Sequence, residues 1–359
     1  MAFEDLVFVS VIIPARHSQR TIHRTIDTLI AQTRPPDEIL VVIEPDDETR
    51  MAIEDQIASG LVRVVEVDRP AHIVRDAHWK RRIGAQAARG TVLFFIDSKI
   101  ILERQAIACA LRLMHEHLVE VVAGVSPAWP EQADHFLAKV QDRGLVQSRK
   151  MFPEAMMLKK DNFGKTESLP ITTALMMTRR AFECIQDDFG VKFSIEASSY
   201  EDYVVAWLLV KCGINILVTN QVVAYHKHRL VWKDYMTEVS RSGQGAALML
   251  HRYPDCPLGR RRLLQALAVF GGSLAGLFVV GLALLLFGWR AAGWLLGLVL
   301  GGYVILGIAN AIKARDVCGV FIPPFTMLVI YMFFFHFVKW CLKRECKHHQ
   351  DFEPYFQIH

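Results

Sequence analysis

A doubly wound α/β sheet followed by helices that cross a membrane is the architecture this sequence predicts, and three observations predict it. Between residues 7 and 96, short β-rich apolar runs alternate with helical stretches. The run at 92–96, VLFFI, stops abruptly at Asp97, Ser98 and Lys99, so a buried strand presents a carboxylate at its C-terminal tip, where open α/β sheets hold their ligands. Beyond residue 262 the chain turns almost uniformly apolar. An aspartate that only caps the turn after its strand is the plainer reading of Asp97, and both readings stand on this stretch alone.

Composition bounds the rest. A length of 359 residues suggests about two domains. Hydrophobic residues make up 52% and mean hydropathy is +0.24, high for a soluble enzyme and low for a protein held wholly in a bilayer. A net charge of +4 is too small to suggest a nucleic-acid binder. Seven cysteines without C-x-x-C pairs fit a reducing compartment, with neither a zinc site nor a disulfide framework. The first residues, MAFEDLVFVSVIIPARH, lack a basic leader region, and no signal peptide is expected.

In chain order, residues 7–13 read as a strand that ends in Pro14, Ala15 and Arg16, and residues 21–32 as a helix with Ile22, Ile26, Leu29 and Ile30 on one face. Residues 39–43 form a second strand, ending at Glu44. A helical segment and a third strand at 61–67 follow, then a basic helix at 75–89 that leads into the Asp97 strand. Strand, helix and strand in this rhythm argue a parallel, right-handed sheet, with ligands at the strand ends Pro14 to Arg16, Glu44 and Asp97. Neither G-x-G-x-x-G nor G-x-x-x-x-G-K-[ST] occurs, so no dinucleotide fingerprint or P-loop is present. Glu44 can accept hydrogen bonds from a base or ribose, and Lys80, Arg81 and Arg82 can reach a diphosphate, although such a basic run also reads as a solvated helix face.

Further on, residues 106–117 read as a helix and 119–125 as a strand, while 127–169 are loop-rich and carry Lys139, Arg143, Arg149, Lys150, Lys159 and Lys160. Such a stretch suits acceptor binding or a mobile lid. Residues 169–177 return to β-like sequence, and 204–210 form an apolar helix behind Glu201 and Asp202, whose acidity at a helix start the helix dipole favours on its own. Residues 214–223 are the last strand. His226 and His228, two residues apart, would face the same way on a strand and could share a metal or a phosphate; two partly exposed histidines in a basic loop is the alternative.

Five stretches in this order, VSVIIPAR (9–16), EILVVIEPDDET (38–49), KRRIGAQAARGTVLFFIDSK (80–99), EDYVVAWLL (201–209) and VVAYHKH (222–228), resemble the family-2 glycosyltransferases of the GT-A fold. With SRSGQGAALMLHRYPDCPLGRRR at 240–262 and the apolar spans behind it, the chain also resembles the membrane-attached exopolysaccharide transferases of the succinoglycan type. The resemblance implies a Rossmann-like mixed sheet and inverting transfer of a sugar from a nucleotide-diphosphate donor to a lipid-linked or membrane-surface acceptor. It implies that Pro14, Ala15, Arg16 and Glu44 hold the nucleoside, Glu44 standing where the family usually has Asp. Lys80, Arg81 and Arg82 would lie near the diphosphate, with Asp97, Ser98 and Lys99 on the D-x-D position. Asp202 would be the general base beside Glu201, with His226 and Arg241 as acceptor or phosphate contacts. A polyprenyl-phosphate sugar synthase is the neighbouring alternative, and a catalytically silent nucleotide-sugar-binding membrane protein the alternative from another class.

Lys99 departs from the family, which carries an acid, or sometimes His, at that place. A protonated lysine cannot ligate a divalent cation. Either Lys99 replaces part of the charge of Mg²⁺ or Mn²⁺, or Asp97 holds a metal with His226 or His228, or the enzyme is impaired.

The expected organisation is a catalytic domain at 1–240, a basic amphipathic segment at 241–262, a membrane region at 263–342 and a basic, polar tail at 343–359. Spans at 263–287 and 291–312 are long enough for the roughly 20 residues that cross a bilayer. A third apolar segment, 320–338, begins with a break at Pro323 and Pro324. Arg260, Arg261 and Arg262 before the first span, and Lys339, Lys343, Arg344 and Lys347 after the third, all ask to be cytoplasmic. The third segment is therefore expected to lie in the interface or to re-enter, in a multi-pass protein of the cell (inner) membrane whose catalytic domain faces the cytoplasm.

Overall fold

A computed structural model of the chain describes residues 7–70, 73, 76–143, 154–166, 170–189, 199–314 and 317–342. The chain forms two compact units, Met1–Val231 and Trp232–His359. The boundary therefore falls at the start of a helix, Trp232–Arg252, earlier than the expected 240.

In the first unit, β1 (Val9–Pro14), α1 (Ile22–Ile30), β2 (Glu38–Ile43), α2 (Glu54–Ala58), β3 (Val62–Glu66), α3 (Ala77–Ala87) and β4 (Val92–Phe95) follow the expected alternation. β3, β2, β1 and β4 lie side by side and parallel. β1, β2 and β4 are buried along their whole length, as continuous apolar strands covered on both faces must be. Helix α1 turns Ile22, Thr25, Ile26 and Leu29 inward.

Beyond β4 the sheet is not parallel. β5 (Ile100–Leu102), α4 (Ala106–Glu116), β6 (Val121–Val125), α5 (Phe136–Arg143), β7 (Met156–Leu158), β8 (Leu175–Thr178), α6 (Arg179–Glu183), α7 (Glu201–Lys211) and β9 (Ile216–His226) complete the unit. The order is β3-β2-β1-β4-β8-β6-β9-β5, with β7 beside β9. β8 runs antiparallel to both neighbours, β4 and β6. The strands up to β4 are parallel as the alternation predicts, and a sheet that is parallel on one side and antiparallel on the other is the mixed sheet expected of the GT-A fold.

β9 does the work of two strands. Its first half pairs with β6 and its last residues pair with β5, setting His226 opposite Ile100. The ladder shifts register between Ala123 and Val125, at Gly124, where a Cβ would stand 2.2 Å from the Val222 carbonyl oxygen. Only glycine lets the strands close up there.

The second unit contains α8 (Trp232–Arg252), α9 (Pro257–Phe287), α10 (Trp289–Ala314) and α11 (Ile322–Leu342). Three of these, α9, α10 and α11, are long and apolar enough to cross a membrane. α9 and α10 turn at Gly288, whose φ of +77° suits glycine, and they expose large apolar side chains such as Leu277, Phe278, Leu298 and Ile305. Arg260, Arg261 and Arg262 belong to α9 itself, so the expected separate segment at 241–262 is instead the end of α8, a short connection and the first turns of α9. Pro323 and Pro324 do not break α11. They sit in its first turn, where a missing N–H costs no helical bond. The tail at 343–359, with Lys343, Arg344 and Lys347, and the residues Arg149 and Lys150 lie outside the described residues.

Gly84 seats α3 on the sheet, because a Cβ there would meet Ile12 Cγ2 at 2.5 Å and Val42 Cγ2 at 2.9 Å. Gly84→Ala is expected to destabilise the protein by about 1–3 kcal/mol, the usual cost of overfilling a core. Gly271→Ala, whose Cβ meets nothing within 4 Å, serves as the control with no loss. Thermal unfolding of the detergent-purified variants measures both.

Candidate active site

The C-terminal ends of β1, β2 and β4 converge, and their loops are tied by polar bonds. Asp47 accepts from the backbone N–H of His17 at 3.0 Å and of Thr49 at 2.9 Å, and from the Thr49 hydroxyl. Thr49 Oγ1 in turn accepts from Ser18 N–H at 2.9 Å, and the Ser18 and Ser98 hydroxyls lie 2.7 Å apart. Ser98 thus ties the β4 tip to the β1 loop. Two residues here, His17 (φ +48°) and Asp46 (φ +61°), hold the left-handed backbone that side chains other than glycine rarely adopt, a strain that persists only where surroundings enforce it.

Lys80 is fully buried, with no exposed surface. Its Nζ donates to the Ala15 carbonyl at 2.9 Å, lies 2.7 Å from Asp76 Oδ2, and reaches Glu44 Oε1 at 3.4 Å. The sequence places Lys80 near a diphosphate; the structure sets its ammonium beneath the Ala15 and Glu44 loops, where it holds them together. Burial alone would raise the Asp76 carboxyl, but Lys80 and then Glu44 outweigh it and hold it below the usual carboxylate range. Glu44 also faces Arg16 at 3.8 Å and Arg69 at 3.5 Å, so it stands in a basic frame at the surface end of the same cluster. Pro14 ends β1 and turns the chain into that cluster.

Asp97 follows β4, and Ser98 and Lys99 then form a turn. The chain is not extended there, because it must swing into β5 beside β9. The Lys99 charge nevertheless acts on Asp97. Arg81 pairs with Asp97 Oδ1, and His226 Nε2 lies 3.7 Å from Oδ2. Burial opposes ionisation of Asp97, but Arg81, His226 and Lys99 outweigh it and keep the carboxyl far below its ordinary value. Burial, with Lys99 second, pushes the His226 imidazole down to about 4, so it is neutral at pH 7. The Lys99 carbonyl accepts from Trp129 Nε1 at 3.0 Å and from Lys227 N–H at 3.3 Å.

His228 does not join Asp97. Its Nε2 lies 2.8 Å from Asp142 Oδ1, and its backbone pairs both ways with the Gln132 amide. The ladder ends at His226, so the two-residue spacing no longer puts both rings on one partner, and His228, expected as a metal ligand with Asp97, faces Asp142 instead. Arg82 also turns from the cluster. Burial lowers its guanidinium, partly countered by Asp187 and Asp188. Arg241 belongs to the second unit, where it faces Glu238 at 4.0 Å.

Glu201 and Asp202 open α7, directly after Tyr200, whose φ is +77°. Thr172 Oγ1 donates to Asp202 Oδ1, and the buried His78 Nε2 lies 3.1 Å from the same oxygen and 3.4 Å from Glu201 Oε2. Burial would raise Asp202, but His78, then Arg81 and Thr172, hold it below the usual carboxylate range. Arg81 therefore acts on both carboxylates, Asp97 and Asp202. Sequence reasoning missed His78, Thr172 and Asp76. Only Asp76 left a signal, a carboxylate four residues before Lys80 on an expected helix.

A Rossmann-like mixed sheet whose strand ends gather a cation-held aspartate and a second carboxylate at a helix start has the design of a group-transfer enzyme with an anionic leaving group. Residues 7–245 match the family model described as glycosyltransferase like family 2. The chain belongs to that family and is a glycosyltransferase. The mannosyltransferase PcManGT from Pyrobaculum calidifontis, solved with GDP-Man and Mn²⁺, has a similar fold (TM-score 0.61), is 15% identical, and is matched over 94% of this chain and 88% of its own. S. aureus TarS 1–349, solved with UDP, gives a TM-score of 0.47 at 19% identity over 66% of this chain and 65% of its own. No curated protein matches the chain.

Lys80→Met would leave Asp76 buried without its cation, and a loss of about 3–5 kcal/mol in stability is expected. Arg82→Met, which removes a half-buried guanidinium, is expected to cost about 1 kcal/mol or less. Thermal unfolding of the two variants measures the difference. Equal stability would return Lys80 to a ligand-binding role.

Proposed function

We propose that this enzyme transfers a sugar, with inversion, from a nucleotide-diphosphate donor to an acceptor presented at the membrane surface, in the manner of exopolysaccharide or glycolipid synthesis. The observation that carries the reading is Arg81 paired with Asp97 at the β4 tip, with its charge also acting on Asp202 at the start of α7. The Pro14–Ala15–Arg16 loop and Glu44 hold the nucleoside. Lys99 and Arg16 face the diphosphate, and His226 lines the sugar side of Asp97. Asp202 accepts the acceptor's hydroxyl proton as the acceptor oxygen bonds to the anomeric carbon, and the bond to the diphosphate breaks with its electron pair on the leaving group. One base and one stabilised leaving group suffice for a single displacement.

Mn²⁺ in the similar mannosyltransferase raises the question of a metal here. The residues present do not fit one. Arg81 occupies one oxygen of Asp97, the Lys99 charge lies beside the other groups, and one carboxylate oxygen with one imidazole falls short of the oxygen-rich, near-octahedral shell of Mg²⁺ or Mn²⁺. Fixed cations take the charge-neutralising part: a unit pair at about 4 Å contributes roughly 4 kcal/mol at an effective dielectric of 20.

The membrane part is read as two spans, α9 and α10, with α11 lying across their cytoplasmic ends beside α8, in the cell membrane and with the first unit in the cytoplasm. α8 supports this, because Gly243 lets α11 approach so closely that a Cβ would stand 2.4 Å from the Phe333 carbonyl oxygen, while α8 carries Lys233, Asp234, Glu238, Arg241 and Arg252, charges that the bilayer core excludes.

A panel of nucleotide-sugar donors offered to purified membranes, scored for labelled lipid, tests the reading. Label on a free polyprenyl phosphate would select the synthase alternative, and no product with any donor would sink the assignment. With the active donor, Asp202→Asn is expected to keep nucleotide binding and lose about 10²–10⁴-fold in turnover. Equal turnover would move the base to Glu201.

Lys99 gives a second prediction. Wild type is expected to keep most of its turnover in chelator, Lys99→Ala to lose it, and Lys99→Asp to regain it only with added Mn²⁺ or Mg²⁺. Turnover across a metal titration decides. A wild type that dies in chelator beside an unharmed Lys99→Ala would make Lys99 a bystander.

A further inference from the structure

We infer that His78 is a positioning residue that makes Asp202 a one-sided base: it and Thr172 occupy Oδ1 and leave Oδ2 to the acceptor. The inference rests on the reading of Asp202 as the base. His78 is the second residue of α3, 3% exposed, with its ring 5.7 Å from that of Phe189. Its Nε2 meets Asp202 Oδ1 at 3.1 Å and Glu201 Oε2 at 3.4 Å. Both are carboxylate oxygens that only accept, so Nε2 carries the proton. Nδ1 is buried with no hydrogen-bond partner among the described residues, which fits the same tautomer, since a bare ring nitrogen is easier to leave unpaired in an apolar setting than an N–H.

The Thr172 hydroxyl donates to the same Oδ1, and its oxygen lies 3.4 Å from Nε2. Among the described residues no hydrogen bond or ion pair reaches Oδ2 of Asp202, whose side chain keeps 31% of its surface. Tyr200 fixes the direction: its left-handed backbone starts α7 at the angle that brings Asp202 onto His78.

In the transfer step the acceptor O–H breaks and its proton goes to Oδ2, while Oδ1 keeps both donors. The acceptor oxygen bonds to the anomeric carbon, and the diphosphate leaves with the electron pair. His78 exchanges no proton. The charged and titratable groups that face Asp202 are His78 and Arg81 from α3 and Glu201 from its own helix. Loss of donors from the ionised carboxylate makes it a stronger base that stays protonated to higher pH.

The test uses full-length enzyme in membranes, with the donor the panel selects. His78→Leu is expected to lower kcat by about 10–100-fold, as loss of an orienting partner does, with little change in donor KM. The acid limb of kcat/KM should move to higher pH. His78→Gln, which can still offer an N–H, should recover part of kcat and return the limb. Equal losses in Leu and Gln with an unmoved limb would mark a purely structural role and overturn the inference, as would a folded His78→Leu with unchanged kcat. Nitrogen-15 spectra of the imidazole in wild type give a reading independent of turnover, with Nε2 protonated and Nδ1 bare; the opposite tautomer overturns it. Full activity in Asp202→Asn would instead remove the base assignment itself, whatever the His78 variants do.

Discussion

A buried ammonium holds the site together. Lys80 has no access to water, and a charge so placed is tolerable only where partners surround it. It finds them on three different elements: the Ala15 carbonyl after β1, Glu44 after β2, and Asp76 at the start of its own helix. Because the three bonds share one nitrogen, the loops that end β1 and β2 cannot move apart without exposing a carboxylate or stranding the cation. α3 is drawn down at the same time, with Gly84 allowing it close to Ile12 and Val42. Helix position then decides everything else that α3 carries: His78 two residues before Lys80, and Arg81 one residue after.

From that anchor the electrostatics follow. Arg81 is directed to Asp97 while His78 is directed to Asp202, so one helix face addresses two carboxylates that come from distant parts of the chain. Both are held ionised against the cost of burial. Three of the four non-glycine residues with positive φ among the described residues, His17, Asp46 and Tyr200, lie in the loops that carry these groups. Strain concentrated there, and nearly absent elsewhere, is what a preorganised site requires.

Much of the first half of this arrangement was legible. Each strand up to β4 shows as a short apolar run closed by polar residues, and the residue at each closing position, Arg16, Glu44 or Asp97, is where the structure gathers charge. Spacing fails where partners are set by tertiary geometry. Lys80 and Arg82 read alike as cations of a basic run, yet one is a buried strut and the other feels the charges of Asp187 and Asp188, because residues two apart on a helix point about 200° apart. His226 and His228 share a spacing that means one face on a strand, yet the ladder stops at His226 and His228 turns to Asp142. β8 is antiparallel for a reason no local pattern holds: it is inserted between β4 and β6 from a segment eighty residues downstream of the first. His78 and Thr172 are single polar residues in unremarkable stretches, and only the fold makes them neighbours.

The second unit raises the opposite problem, since its composition reads too simply. Length and hydropathy make α11 a third span, but its contacts argue for a different path. Tyr331 hydrogen-bonds Ser273 and packs on Phe270, while Arg262 lies 5.8 Å over Phe333. Residues 262 and 273 are about 16 Å apart along α9, at 1.5 Å per residue, and their partners on α11 only about 3 Å apart. Both contacts are met by an α11 that crosses α9 instead of running down beside it, as the proposed topology has it. It also starts near the end of α10, where Asn310 donates to the Gly319 carbonyl at 2.9 Å, a level that the turn at Gly288 sets opposite the first turns of α9. Trp232 against Phe325 and Gly243 against Phe333 then align α8 with α11 in the same direction. In the topology proposed above, α11 leaves Lys339 on the side of Arg260, Arg261 and Arg262, and the charge conflict that three full spans create does not arise.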